Sequence, residues 1–198
     1  MTRLNTLAAA TVSLAALFAA ANTVAAPAAA NWTPVAMADP MVGGAAMSPM
    51  ADIVTNASKS ADHTTLVAAV KAAGLVETLQ GPGPFTVFAP TNEAFGMLPA
   101  GTVESLVQPA QKPALTKILT YHVVPGRLLA ADIVALARAN GGVATLTTVE
   151  GGKLTVRAAS GGRWEITDEN GGKATITIAD VRQSNGVVHV IDGVLLPN

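Results

Sequence analysis

The spacing of apolar residues changes character midway along the chain. Up to Tyr121 they recur at helical intervals; from Val143 onward they alternate singly with polar residues. Leu66, Val70 and Ala73 share one helical face, with Asp62 at the N-cap position. Gly74 then stops that helix in the left-handed conformation, and Leu75 folds back on Val70 in a Schellman closure. Ile53, Val54 and Ala57 form a shorter face upstream, so structure is expected to begin around Asp52. Gly81-Pro82-Gly83-Pro84 breaks the helical pattern, and Phe85 to Ala89 reads as a strand. Thr91 caps the next helix, with Glu93 set against the helix dipole and Phe95 and Leu98 on its buried side. A short helix is expected from Thr102 to Val107. Pro113 occupies the first turn of another, whose stripe is Leu115, Ile118 and Leu119. His122 to Val124 reads as a strand, and Ala131 to Ala139 as a last helix closed by Gly141.

In the second half, Leu154 and Val156 alternate with Lys153, Thr155 and Arg157. Trp164 and Ile166 alternate with Arg163, Glu165 and Thr167, and Ala174, Ile176 and Ile178 with Lys173, Thr175 and Thr177. Such alternation predicts an antiparallel meander with one wet face. Two GGKxT pieces, at Gly151 and Gly171, predict two similar hairpin turns. Asn185-Gly186 is a strong turn signal because both residues tolerate positive φ. Val187, Val188, Val190 and Ile191 then form a strand buried on both faces, with His189 as its one polar interruption. Helices first and hairpins second predict an α+β domain whose helices cover part of a bent antiparallel sheet. Phe85, Phe88, Phe95, Leu115, Ile118, Val188 and Val190 are the expected core.

The first residues belong to a different regime. Arg3 precedes an apolar run from Leu7 to Ala21, and small residues follow at Val24, Ala25 and Ala26. Residues 1–26 are therefore expected to be a secretory signal peptide, cleaved after Ala26 or Ala30. Residues 27–50, rich in Ala, Pro and Met, read as a linker that becomes ordered near its end. Residues 51–198 read as the folded domain. The expected location is outside the cytoplasm, in the periplasm or beyond the cell. Cysteine is absent, so no disulfide supports the fold there. About 170 residues suffice without one, because a domain of that size buries roughly 70% of its unfolded surface. Removing the leader takes Arg3 from the 12 basic residues and nothing from the 13 acidic ones. The remaining charge is slightly negative with no basic patch, which excludes non-specific nucleic-acid binding. Beyond the leader no stretch is apolar enough to cross a bilayer.

Candidate chemistry is sparse. His63, His122 and His189 are the only imidazoles. His63 lies near Ser58, Ser60 and Asp62, but residues within one turn point different ways and triads are assembled from separate elements. No nucleophile elbow, zinc-binding HExxH or phosphate loop is present. Met37, Met41, Met47 and Met50 could offer thioethers to Cu(I), yet no His lies among them and their spacing is uneven. They read as gap-filling apolar residues, and no metal or other cofactor is expected. Tyr121-His122 marks a helix-to-strand junction. The hydroxyl of this only tyrosine needs a partner if buried, and His122 is expected to bond a backbone carbonyl and pin the junction. His189 is expected to be satisfied by a neighbour or to face solvent. No catalytic residues are assigned.

Three segments, Gly83 to Phe95 (GPFTVFAPTNEAF), Leu119 to Gly126 (LTYHVVPG) and Ser184 to Pro197 (SNGVVHVIDGVLLP), resemble the signature blocks of the fasciclin domain. The resemblance runs from about Asp52 to Pro197. It implies a compact β-sandwich or wedge with the N-terminal helices packed along it, and a secreted, non-catalytic adhesion or binding module. The partner implied is a cell-surface or extracellular matrix protein or polymer. The family's Tyr-His block, associated with adhesion, falls on Tyr121 and His122. Its Asp-Ile pair, which animal members use for integrin contact, falls on Asp180 and Val181, with Val in place of Ile. Asp180 also reads as a turn residue after Ile178. Some family members bind carotenoids, so a carrier of a small apolar, carotenoid- or lipid-like molecule is the alternative reading, and a secreted hydrolase a third.

Overall fold

The computed structural model describes residues 39–159 and 162–198. The expected leader, Met37 and the first part of the expected linker lie outside these residues. Within them the chain opens with a small hairpin, β1 (Met41–Val42) and β2 (Ala45–Ala46). Three helices follow: α1 (Ile53–Ala57), α2 (Thr64–Ala73) and α3 (Val76–Gln80). Strand β3 (Phe85–Pro90) leads into α4 (Asn92–Gly96), α5 (Thr102–Leu106) and α6 (Lys112–Tyr121). After β4 (Val123–Pro125) comes the last helix, α7 (Ala130–Ala139). The rest is sheet: β5 (Val143–Thr147), β6 (Lys153–Ala158), β7 (Trp164–Thr167), β8 (Lys173–Gln183) and β9 (Gly186–Ile191).

Seven strands form one sheet in the order β4-β3-β9-β8-β7-β6-β5. Every neighbouring pair is antiparallel except β3 and β9, which run parallel from Phe85↔Gly186 to Pro90↔Ile191. The sheet bends until its ends nearly meet, where Val149 N–H donates to the Val123 carbonyl at 2.7 Å. The class is thus α+β, as the succession of periods predicts.

The meander supplies one side of the main core with Ala144, Leu146, Leu154, Val156, Ile166 and Ala174. These are the inward positions of the alternation. Phe88, Tyr121, Ile191 and Leu195 complete it. A second core fills the space between helices and sheet, with Leu66, Val70, Leu115 and Leu119 against Val87 and Ala89. Strand β3 therefore sends Phe88 into one core and its neighbours into the other. Strand β9 is enclosed in the same way, which accounts for its nearly unbroken apolar run. Of the expected core residues, Phe88, Leu115 and Val190 are buried. Phe85, Phe95 and Val188 are half-buried and pack at core margins, and Ile118 is half-buried.

The local signals act much as their chemistry requires. Gly74 sits at φ 72°. Leu75 N–H donates to Val70 O, and Gly74 N–H to Lys71 O, which is the Schellman pair. Thr91 Oγ1 accepts from Ala94 N. Pro113 lies in the first turn of α6. Two expectations need correction. Asp62 does not cap α2; it lies inside a 3-10 turn, Ala61–His63, that runs into the helix. Order also begins before Asp52. Val42 and Met47, from the first hairpin, are buried against Val181 and Val190. Those strands carry apolar residues on their outer face too, and the hairpin covers them.

Candidate binding site

Tyr121 and His122 end α6 and enter β4. Tyr121 is fully buried, and its hydroxyl does two jobs. It donates to Lys153 O at 2.9 Å and accepts from Glu169 N at 3.1 Å. Lys153 opens β6 directly after the β5–β6 turn and Glu169 lies in the β7–β8 turn, the turns of the two GGKxT hairpins. The turns are built alike: Thr148 N–H donates to Gly152 O, and Asp168 N–H to Gly172 O, both at 2.9 Å. One phenol therefore staples two equivalent turns. Gly152 makes room for it, since a Cβ there would lie 2.6 Å from Tyr121 Cε2. Burial raises the Tyr121 pKa.

His122 Nδ1 donates to Ile118 O at 2.8 Å, while Nε2 accepts from Leu195 N at 3.0 Å. The ring is neutral in this arrangement. Burial pushes its pKa down to about 4, against smaller opposing effects of the Ile118 carbonyl and Asp168. The expected bond to a backbone carbonyl is present. The bond to Leu195 is a second one, and it fixes the C-terminal segment. Asp168 adds to that hold by accepting from Leu196 N at 2.9 Å.

Asp180 and Val181 lie three strands away, on β8. Val181 is buried; Asp180 is half-buried. At a strand spacing of roughly 4.8 Å this separates the two pairs by about 14 Å. The residues between them form the connection. Phe88 N–H donates to His122 O at 2.9 Å, and the Phe88 ring stacks on His189 with centroids 5.6 Å apart. His189 Nδ1 accepts from Asp180 N at 3.3 Å, so Nε2 carries the proton and donates to Leu128 O at 2.9 Å. Burial lowers the His189 pKa.

Asp180 is the one described non-glycine residue with positive φ, at 60°. It sits in the irregularity where the β8 register slips against β9. Its Oδ1 accepts from Ala130 N at 2.7 Å. The N-cap residue of α7 is Leu129, whose side chain has no acceptor. Asp180 supplies the cap from another strand. Three neighbouring strands thus each send one polar side chain to residues 126–130. Thr86 Oγ1 donates to Gly126 O at 2.7 Å and accepts from Leu128 N at 2.9 Å; His189 and Asp180 do the rest. The sequence pointed to Asp180 as a turn residue. Its service to a distant helix has no local signal.

Three of the four expected contact residues, Tyr121, His122 and Val181, therefore turn their side chains inward. Beside Asp180, a surface groove of ≈ 260 Å³ is lined by Ala130, Ile133, Arg163, Trp164, Thr177 and Ala179, among others. Two apolar cavities between α1, α2 and the sheet are ≈ 30 Å³ each. Neither holds a carotenoid-sized molecule, because pockets for drug-sized ligands are roughly 300–1,000 Å³.

His63 is 3% exposed and meets Ser60 Oγ at 2.9 Å through Nδ1. The expectation that these neighbours point apart is corrected: the 3-10 turn brings them together. Ser60 is buried as well, and Asp62 is exposed, so no open cleft joins the three. Among the described residues no group of three His, Cys, Asp or Glu side chains is placed to hold a metal ion. No described helix is long and apolar enough to cross a membrane.

The fasciclin domain profile matches residues 61–197. Protein sll1483 of Synechocystis is 48% identical over 157 residues, covering 79% of each chain. Immunogenic protein MPB70 of Mycobacterium bovis is 35% identical over 206 residues, covering 98% of this chain and 97% of that protein. Among solved structures, a FAS1 domain pair from the insect cell adhesion molecule fasciclin I superposes with a TM-score of 0.65 at 22% identity. That match covers 74% of this chain and 51% of the pair, and it speaks to the fold alone. Fold, signature segments and relatives agree: the chain belongs to the fasciclin domain family.

Proposed function

We propose that this chain is an exported, non-catalytic binding module whose partner is a protein or polymer of a cell surface or extracellular matrix. One observation carries the reading. Tyr121, His122 and His189, the side chains best suited to chemistry, spend their hydrogen bonds inside the fold. What the molecule has to offer is its exterior. The expected leader, residues 1–26, supports export. Two relatives lend support by name: the insect protein is a cell adhesion molecule, and MPB83 of Mycobacterium bovis, 35% identical over 161 residues, is a cell surface glycolipoprotein.

The contact surface assigned here is the groove beside Asp180, with Arg163, Trp164, Thr177 and Ala179 in its walls. Tyr121, His122 and Val181 are buried and serve the fold, Tyr121 by holding the β7–β8 turn whose strands carry Trp164 and Thr177. The test is capture from envelope fractions and culture medium with the purified domain. Replacing Thr177 and Ala179, both exposed, by Arg fills the groove without entering a core. Binding should fall at least tenfold while circular dichroism is unchanged. Unchanged binding places the contact elsewhere; failure to capture anything from either fraction removes the binding reading itself.

A further inference from the structure

The chain contains three Asn-Gly pairs, at Asn140, Asn170 and Asn185. Such a pair has a chemistry of its own. Glycine carries no Cβ, so its backbone nitrogen is unshielded and the chain around it turns freely. That nitrogen can attack the side-chain carbonyl carbon of the preceding asparagine and close a five-membered ring. The fold must supply three conditions: a glycine N–H outside any hydrogen bond, an asparagine side chain able to swing, and access for water. Asn140 and Asn170 both open the tripeptide Asn-Gly-Gly, so their local sequence does not separate them. Their surroundings do.

Asn185 is locked. Its Oδ1 accepts from Ile53 N at 3.1 Å, its Nδ2 donates to Leu79 O at 2.7 Å, and Gly186 is buried. Asn170 is tied at both reacting groups. Its Nδ2 donates to Leu196 O at 3.0 Å and Pro197 O at 3.2 Å, while Gly171 N–H donates to Asp168 O at 3.2 Å. Asn140 is exposed at the C-terminal cap of α7. Its Nδ2 makes one bond, to Leu136 O at 2.8 Å, on the surface where water replaces it readily. Among the described residues Gly141 N–H has no acceptor. A Cβ placed on Gly141 or Gly142 would meet nothing within 4 Å, so the corner has open space around it. Helix ends also open more readily than helix middles.

We propose that Asn140 is a site of spontaneous deamidation and isoaspartate formation, the one pair of the three that the folded protein leaves reactive. The Gly141 nitrogen, its proton lost to solvent, attacks Asn140 Cγ. A bond forms between that nitrogen and Cγ, the Cγ–Nδ2 bond breaks, and Nδ2 departs as ammonia with a proton taken up from solvent. Water then opens the cyclic imide at one of its two carbonyls, leaving an aspartyl or an isoaspartyl linkage at position 140. The net reaction consumes one water and releases one ammonia. Either product replaces the donor to Leu136 O by a carboxylate. It also sets a negative charge at the C-terminal end of α7, where the helix dipole disfavours it. The isoaspartyl form adds a methylene to the main chain between α7 and β5, beside the bond of 2.7 Å from Gly142 N–H to Ala137 O. The modification therefore loosens the corner between α7 and β5. It lies at the opposite end of α7 from Ala130 and is independent of the contact surface assigned above.

The test holds the purified protein in mildly alkaline heavy-oxygen water and follows each asparagine by peptide mapping. In the folded protein Asn140 should convert at least tenfold faster than Asn170 and Asn185, and its product should carry the heavy oxygen. The product should accept methyl groups from an isoaspartyl methyltransferase, and Asn140→Gln, a change at an exposed position, should remove most of that acceptance. In urea, where the fold no longer distinguishes them, Asn140 and Asn170 should convert at similar rates. Conversion of Asn170 or Asn185 in the folded protein as fast as that of Asn140 would overturn the proposal. So would methyl acceptance unchanged in Asn140→Gln, or a lead of Asn140 over Asn170 that persists undiminished in urea.

Discussion

The carboxylate of Asp180 accepts the backbone N–H of Ala130 at 2.7 Å, across fifty residues of chain. An irregularity in a β-strand thereby completes a helix whose own cap position holds a leucine. Two demands converge on residue 180: it must accept a hydrogen bond, and it must tolerate φ of 60°. Asp and Asn meet both better than other residues.

A substitution series separates those demands. Asp180→Asn keeps an acceptor and the left-handed conformation, and should stay within about 0.5 kcal/mol of the parent. Asp180→Gly keeps only the conformation and should lose about 1 kcal/mol through the missing cap. Asp180→Ala loses both and should be the least stable, by about 2–3 kcal/mol. Urea midpoints give the ranking. An Ala variant as stable as the Gly variant would show that the backbone there is not strained.

Tyr121 offers a second test. Tyr121→Phe removes one donor and one acceptor, leaving Lys153 O and Glu169 N–H without their partner. The expected loss is about 1–3 kcal/mol. Amide exchange should quicken at Glu169 and in both hairpin turns together. Gly152→Ala approaches the same ring from outside and should destabilise by about 1–3 kcal/mol through overpacking. Combined with Tyr121→Leu, which withdraws the ring, the two costs should be less than additive. Full additivity would mean that the Cβ strikes something other than Tyr121.

Acid should weaken the fold in a defined window. His122 has a folded pKa of about 4 against an ordinary 6.5. Between these values the unfolded chain binds the proton and the folded one does not, so stability falls as pH drops from about 6.5 to 4. The full effect is of order 3 kcal/mol. His63 and His189 are lowered in the same direction by burial and add to the slope. Asp52 and Glu165, whose pKa values lie below the ordinary carboxylate range, act only at lower pH. Urea midpoints at pH 7.5 and 5 should differ clearly, and His122→Gln should reduce the difference. A flat profile across that range would contradict a neutral, buried His122.

The elements legible in the sequence were those with local causes. Gly74 with Leu75, Thr91, Pro113 and the alternation from Lys153 to Ile178 each act within a few residues, and each element formed where its signal lay. The parallel pairing of β3 with β9 has no such signal, because it joins residues roughly a hundred positions apart. In the sequence the first hairpin looks like linker because Met41 to Met47 has neither period; it is ordered by the surface beneath it. At the candidate site, the resemblance located Tyr121, His122, Asp180 and Val181, but no pattern in one sequence states which way a side chain faces. The inward turn of three of them follows from strands enclosed on both sides. The groove lined by Trp164, Thr177 and Ala179 is assembled from β7, β8 and the start of α7, so it exists only in three dimensions.

The parallel register of Phe85 to Pro90 with Gly186 to Ile191 has a kinetic corollary. The middle of the sheet cannot zip up until nearly the last strand is available, and loop closure over such a span is slow. A polypeptide synthesised from its N-terminus therefore remains threadable for most of its translation. Late assembly is thus the cost of seating a strand from near the start of the domain beside one from its very end.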